Sequence, residues 1–327
     1  MKPSLKTIAE QSGVSKTTVS FVLNGRGDEK NISAETQKRI LDTARLLNYV
    51  PNHLARSLST GRSYTIGFIV PDISNPFFGK IARLVEAKAE QRGYSVMVAS
   101  TDEREEKEKK ILDTFTNRQI DGVIIAPSTN LSAATLSNIP LVCFDRIFGD
   151  MEVAGVSINN TETSQQLTQS LINNGHRRIA LVALTSYLPN IQQRIEGYKQ
   201  ALEINGLTID PRLVVEVDEH NKKESVIKVM NDLLDSTDAP TGFLFLNNVL
   251  AAEAIWTVNK FHTERINQLH FASFDNLDLF DYAQPKVVSA LQPGEQIAER
   301  CVELLCSQIE ENVKKKGFCL STKIIER

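Results

Sequence analysis

Cysteine is scarce and unpatterned in this chain. Its four copies, Cys143, Cys301, Cys306 and Cys319, show no paired spacing. Cys301 and Cys306 stand five apart in a stretch that reads as helix, which is neither a CxxC redox pair nor a zinc-ligand pattern. Free thiols are expected, with no metal and no cofactor. Long hydrophobic runs are missing too: no apolar stretch approaches the ~20 residues that span a bilayer, so no membrane partner is expected. No charged segment with an apolar core opens the chain, so a cytoplasmic protein is expected. The phosphate-binding P-loop, the dinucleotide glycine fingerprint and the HExxH zinc site are also absent from the sequence. An enzyme acting on sugars would need a nucleophile or an acid–base pair. The paired acids Asp275 and Asp278 are of a kind common at helix starts, so no catalytic residue and no enzyme activity are expected.

Charge is present but unevenly placed. Residues 1–62 hold ten Lys and Arg against five acids, whereas the whole 327-residue chain carries a net −3. A surplus of five positive charges at one end therefore faces an excess of eight negative charges in the rest. A basic head on an acidic body is what arises when one end meets phosphate and the other does not. The length exceeds one typical domain and is enough for a large core.

The head reads as short helices around a turn. Leu5, Ile8 and Ala9 share one helical face, and Val14, Val19, Val22 and Leu23 supply the facing stripe of a second helix. Gly13 permits the tight or left-handed turn between them, and Ser15 is placed to cap the second helix. Lys16, Thr17, Ser20 and Phe21 then fall on its outer face. Small hydrogen-bonding groups, one cation and one ring suit a helix that enters a major groove. A third helix, capped at Ser33 and carrying Ile40, Leu41, Ala44 and Leu47, closes the unit as a helix-turn-helix domain. Beyond it Pro51 stops the chain, and Asn52 can cap a short helix through Leu54, Ala55 and Leu58 that is too short to stand alone in water. Gly61 releases the chain into the next domain.

After Arg62 the pattern changes to apolar strands alternating with amphipathic helices. Strands read at 64–70, 94–99, 122–126 and 141–144, then in a second series at 179–184, 213–217, 242–246 and 269–274. Strands apolar throughout indicate parallel sheets covered on both faces, and two series indicate two doubly wound lobes. Ligands in such folds sit beyond the carboxyl ends of strands, so the cleft between lobes is the expected site. The residues there are Asp72, Asn75, Phe77 and Phe78 after the first strand, Asp145 and Arg146 after the 141–144 strand, Arg194 at the opening of a helix, Asn247 with Asn248, and Asp275 with Asn276. Carboxylates accept from vicinal sugar hydroxyls, amides do both, and arginine forks onto oxygen anions. Plain alternatives stand beside these roles: Asp275 as the cap of a helix over 276–283, and Arg194 as a solvated helix charge.

The run Thr7-Ile-Ala-Glu-Gln-Ser-Gly-Val-Ser-Lys-Thr-Thr-Val-Ser20, joined to Asn48-Tyr-Val-Pro51 and Ala55-Arg-Ser-Leu58, resembles the lactose/galactose repressor family of bacterial transcription regulators. The resemblance covers essentially the whole chain. It implies an all-α helix-turn-helix head plus an α/β body of periplasmic-binding-protein type, with two doubly wound parallel-sheet lobes. The implied domains are a DNA-binding head over 1–49, a hinge helix and linker over 50–62, and an effector-binding and dimerisation body over 63–327. Within the body, the first lobe takes about 63–160 and 292–317, and the second about 161–291 and 318–327. Lys16, Thr17 and Phe21 match base-reading positions, with Phe21 suited to a thymine methyl. Leu58 matches a leucine wedge that opens the minor groove, and Lys30 occupies a place often held by a DNA-contacting arginine. The implied DNA-contacting set is completed by Leu5, Ser15, Thr18, Ser20, Asn24, Asn52, His53, Ala55 and Arg56.

In the body, Asp145, Arg194, Asn247 and Asp275 match effector-contacting positions. Leu141-Val-Cys-Phe-Asp-Arg146 and Phe271-Ala-Ser-Phe-Asp-Asn276 are similar to the fructose- and sucrose-repressor branch. That branch implies a fructose-type sugar or its phosphate, with Arg146 and Arg194 as anion partners. The expected partners are thus operator DNA, a small sugar or sugar phosphate, and a second copy of the chain. No leucine heptad follows Ile325, so a dimer on a near-palindromic operator is expected. A regulator answering a purine or nucleoside, and a sugar-binding transport protein of the same fold, are the alternatives.

Overall fold

A computed structural model of the chain describes residues 3–49, 61–131, 139–148, 154–184, 187–218, 221–311 and 317–327. The chain divides into two units, residues 1–63 and 64–327.

In the first unit, three helices, α1 (Leu5–Ser12), α2 (Lys16–Leu23) and α3 (Ala34–Leu46), close over Ile8, Ala9, Val19, Val22, Ile40 and Ala44. Burying an aliphatic side chain fully is worth about 1.5–3 kcal/mol, so this small core depends on every member. Helix starts are fixed by side chains: the backbone N–H of Thr7 donates to Ser4, that of Thr18 to Ser15 and that of Thr36 to Ser33. Each satisfies an amide the first turn would leave unpaired. Gly13 ends α1 at φ +65°, a left-handed conformation that costs glycine little.

The second unit holds two six-stranded sheets. In the first the order is β11-β5-β4-β3-β1-β2, with β1 (Thr65–Val70), β2 (Ser95–Ser100), β3 (Gly122–Ile125), β4 (Leu141–Phe144), β5 (Ala154–Ile158) and β11 (Phe318–Leu320). The second runs β12-β10-β9-β8-β6-β7, built of β6 (Ile179–Ala183), β7 (Val214–Glu216), β8 (Gly242–Phe245), β9 (His270–Phe274), β10 (Val287–Leu291) and β12 (Lys323–Ile325). All pairings are parallel except β10 with β12. The central strands are buried along their whole length, which is why they read as continuous apolar runs. No helix of the described residues is long and apolar enough to cross a membrane.

The chain crosses between lobes after β5, after β10 and between β11 and β12. The last crossing lies three residues beyond the expected boundary at 317, because Phe318–Leu320 pairs with Val156–Ile158 of the first sheet. A second difference follows β9. Instead of a helix over 276–283 there is one short 3-10 turn, Asp278–Asp281. Asp275 adopts φ +65° and Leu277 is extended, which removes the helical start that Asp275 would have capped.

Candidate functional site

On the head, the face of α2 turned away from the core carries Lys16 and Thr17 exposed, with Ser20 and Phe21 half-buried beside them. Ser15 and Thr18 bind each other through their hydroxyls at 2.8 Å, and the Asn24 amide donates to the Ser20 carbonyl at 2.8 Å. These bonds hold the ends of α2. Leu5 packs against the head core. The Phe21 ring is flanked by the Lys30 ammonium at 5.4 Å and the Arg26 guanidinium at 5.8 Å. The acids of the 24–32 loop are both paired: Glu29 accepts from Arg26, one of those two cations, at 3.0 Å, and Asp28 from Gln37 at 2.7 Å. Two cations and a ring therefore share one edge of α2, a pattern suited to a phosphate-lined groove. Asn52, His53, Ala55, Arg56 and Leu58 lie outside the described residues.

In the body, Asn75, Phe77, Phe78, Asp145, Arg146, Arg194, Asn247 and Asp275 line one cavity at the carboxyl ends of the strands, between the lobes. Asp72 does not line it; its carboxylate accepts from the backbone and hydroxyl of Ser74 at 2.9 and 2.6 Å, pinning the loop in front of the helix Pro76–Gln91. Asn75 caps that helix by accepting from the Phe77 amide at 3.0 Å. The free volume is about 40 Å³ for a water-sized sphere, far below the ~300 Å³ or more of ordinary ligand sites. Admitting a sugar therefore requires side chains or lobes to part.

Arg194 is the hub. It sits in the second turn of the helix Pro189–Ile204, buried rather than solvated and not at the helix opening. Its Nε donates to Asn160 at 2.8 Å and its Nη1 to the Leu246 carbonyl at 2.8 Å, while Nη2 stands 3.6 Å from Asp145. The guanidinium lies 4.1 Å from the centroid of the Phe274 ring. Gly197, one turn on, lets this helix press against Asn160–Asn173, since a Cβ there would meet the Thr161 carbonyl oxygen at 2.0 Å. That close approach brings Asn160 within reach of Arg194.

Around the hub, Asn190 donates to Asp145 at 3.1 Å and Gln292 to Asp275 at 2.6 Å. Arg146 donates through both Nη atoms to the carboxylate of Glu103, and its Nε stands 3.6 Å from Asp145. Burial, reinforced by Asp145, pushes the Asp275 carboxyl up to about 6 against the opposing pull of Arg194 and Gln292. Burial likewise lowers Arg194, opposed by Asp145 and Asp275. Glu103, Asp145 and Asp275 all hold left-handed backbone, at φ +54°, +60° and +65°. Such conformations cost about 1–3 kcal/mol each for a non-glycine residue and concentrate at functional sites.

Glu103, Asn160, Asn190 and Gln292 were not among the residues picked out for this site from the sequence, whereas Asn248 was. Asn248, fully buried, donates to Asn75 across the cleft at 3.3 Å, and its carbonyl oxygen finds no partner among the described residues. Gln292 follows β10, so the strand-end rule would have found it had that strand been read. Glu103 carries no such signal, since it opens the charged run 102–110, which looks like a solvated helix face. Among the described residues no cluster of His, Cys, Asp or Glu suits a metal ion.

Comparison with known proteins adds independent information. Residues 63–295 match the family of periplasmic binding proteins and sugar binding domains of the LacI family, and residues 4–52 match the bacterial regulatory proteins of the lacI family. Catabolite control protein A of Priestia megaterium is 30% identical over 310 residues, covering 93% of this chain and 92% of that protein. The Cra transcriptional dual regulator of Pseudomonas putida, solved with fructose 1-phosphate, is similar at 25% identity with a TM-score of 0.73, over 81% of this chain and 98% of that one. The lac repressor dimer bound to operator shares the fold at a TM-score of 0.84 and 20% identity, covering 100% of this chain and 98% of its own.

Proposed function

The chain belongs to the LacI family of bacterial regulatory proteins, and from that premise we propose that it represses genes of carbohydrate metabolism under the control of a fructose-type sugar or its phosphate. As a family member it is a DNA-binding transcriptional repressor of sugar or nucleoside metabolism, and not an enzyme. It acts in the cytoplasm, on nucleoid DNA. The observation that carries the effector reading is the buried constellation of Arg194, Asp145, Asn190 and Asp275 at the carboxyl ends of strands from both lobes. Carboxylates and amides placed this way bind vicinal hydroxyls, and Phe77 offers a ring face to a sugar's C–H surface.

On the DNA, Lys16, Thr17 and Phe21 read base edges, while Ser15, Thr18, Ser20, Asn24 and Lys30 set α2 against the backbone. Leu5 contacts DNA from the start of α1. Asn52, His53, Ala55, Arg56 and Leu58 complete the proposed DNA-contacting set, with Leu58 as the minor-groove wedge. Two heads on a homodimer need a near-palindromic operator. The dimer reading is supported by uncovered apolar surface. The free edge of β2 exposes Val98 beside a groove of about 670 Å³ lined by Met97, Ile111 and Phe115, and the second lobe exposes Trp256, Phe261, Leu279 and Tyr282. Effector binding changes the closure of the cleft and so the separation of the paired hinges; by linkage, operator alters effector affinity by the same factor.

Calorimetric titration of the full chain with fructose, fructose 1-phosphate and sucrose tests the effector reading. Binding of a fructose-type ligand that Arg194→Ala abolishes supports it. Binding of a purine nucleoside instead, with no response to these sugars, replaces it with the nucleoside reading.

A further inference from the structure

Two arginines in one cleft invite a phosphoester, yet both guanidinium groups already face carboxylates. We propose that the cleft selects an uncharged ligand and rejects phosphorylated sugars, and that Glu103 is the residue that sets this preference. The proposal rests on the reading of this cleft as the effector site and narrows it to one ligand class.

Arg146 offers both Nη atoms to Glu103, the fork-to-fork arrangement by which arginine otherwise grips a phosphate. Its Nη1 also lies 3.5 Å from the Pro127 carbonyl oxygen, and its Nε stands 3.6 Å from Asp145 without a hydrogen bond to it. The two side chains are 8% and 9% exposed, so water screens the pair little. Arg194 is spent in the same way, on Asn160, Leu246, Asp145 and the ring of Phe274. Among the described residues lining the cavity, three carboxylates thus oppose two guanidinium groups.

A phosphate dianion entering this space meets Asp145 and Asp275 with no donor fork left to receive it. Like charges at close range in a buried site repel strongly. A neutral polyol meets the opposite situation, because each carboxylate oxygen is an acceptor for its hydroxyls. Glu103 decides the outcome because it alone neutralises Arg146 bidentately. Its backbone is held at φ +54°, beside Asp102 at +53°, which directs the carboxylate from the end of β2 into the cleft. Without that carboxylate, Arg146 loses its bidentate anion, and the N–H donors that gripped Glu103 can turn to an anion in the ligand space.

Calorimetry of the full chain and of Glu103→Gln, each titrated with fructose, fructose 1-phosphate and inorganic phosphate, tests this. The wild type should bind fructose about tenfold or more tightly than fructose 1-phosphate, a gap of about 1.4 kcal/mol or more. Glu103→Gln should gain about tenfold for fructose 1-phosphate or inorganic phosphate, and adding Arg146→Gln should remove the gain. Glutamine keeps an acceptor for Arg146, and a circular dichroism melt verifies that the variant is folded. Wild-type binding of fructose 1-phosphate or phosphate as tight as that of fructose overturns the proposal, a result that needs no variant. So does a folded Glu103→Gln with no gain for either anion. Failure of the wild type to bind fructose or its phosphate at all would instead refute the fructose reading, and the phosphate gain in the variant would still judge this one.

Discussion

The guanidinium of Arg194, carried by the second lobe, stands 3.6 Å from the Asp145 carboxylate of the first, and both side chains are almost wholly buried. Neither charge would be tolerable there alone, since an unpaired buried ion costs several kcal/mol. The pair therefore ties the state of the cleft to the spacing of the lobes. A ligand that inserts its hydroxyls between them replaces one set of polar contacts by another, and the energy of that exchange is what can reach the DNA.

Arg194→Ala should abolish the response to effector while the head still binds DNA. It should also destabilise the body by about 3–5 kcal/mol, because Asp145 loses one of the two buried cations beside it and the acceptors on Asn160 and Leu246 lose their donor. Urea unfolding and an operator-binding titration with and without sugar measure the two effects. A normal effector response in the variant would remove Arg194 from the ligand site.

Asp275 makes stability depend on pH in a definite sense. Its carboxyl is raised from an ordinary 3.8 to about 6, so the folded state holds this proton more tightly than the unfolded one. The contribution to stability is full below pH 3.8, shrinks as pH rises through that window and is gone above 6. The whole change is worth about 3 kcal/mol. Relative to Asp275→Asn, the wild type should therefore gain stability as pH falls from 7 to about 4. Parallel pH profiles for the two proteins would show that Asp275 is not held in this way.

Gly197→Ala should lower stability by about 1–3 kcal/mol, the usual cost of overpacking, because the new Cβ meets the Thr161 carbonyl oxygen at 2.0 Å. Thermal melts of the variant with and without effector follow both stability and site. An unchanged melt would mean that the two helices part without penalty and that Gly197 does not position Arg194.

On the head, Lys30→Ala and Phe21→Ala should fail differently. Losing one phosphate contact at Lys30 should reduce the salt slope of operator binding by about one and weaken all sequences alike. Phe21→Ala should lose selectivity between operator and altered sites with little change in salt slope. Leu58→Ala, in the hinge, should weaken specific binding by a few kcal/mol at most, the order of a base-unstacking energy. Equal effects of all three on selectivity and salt slope, measured by fluorescence anisotropy, would contradict the assigned roles.

The sequence made some of this plain and hid the rest for physical reasons. Leu141–Phe144 and Gly242–Phe245 are buried on both faces and announce themselves as apolar runs. Ala154–Ile158 does not, because Gly155 and Ser157 interrupt it, and Phe318–Leu320 is too short to carry a pattern. Helix caps at Ser15 and Ser33 were legible because capping is local chemistry. Asp275 misled for the same reason: it has the residue type of a cap, and only its left-handed backbone shows that it serves the cleft instead. Asp72 stays out of the cleft although it follows a strand, because its carboxylate is taken by the backbone and hydroxyl of Ser74 two residues on. Glu103 was invisible because pairing across the fold with Arg146, not local sequence, takes it out of solvent.

A small ligand in the cleft is proposed here to govern sequence-specific DNA binding. The most direct measurement selects DNA from a random library with the full-length protein and then titrates the selected duplex, by fluorescence anisotropy, with and without saturating fructose. The expected outcome is a near-palindromic sequence, and a change in its affinity of about fivefold or more when the sugar is present. Selection of no sequence, or an affinity untouched by a sugar that calorimetry shows to be bound, would contradict it.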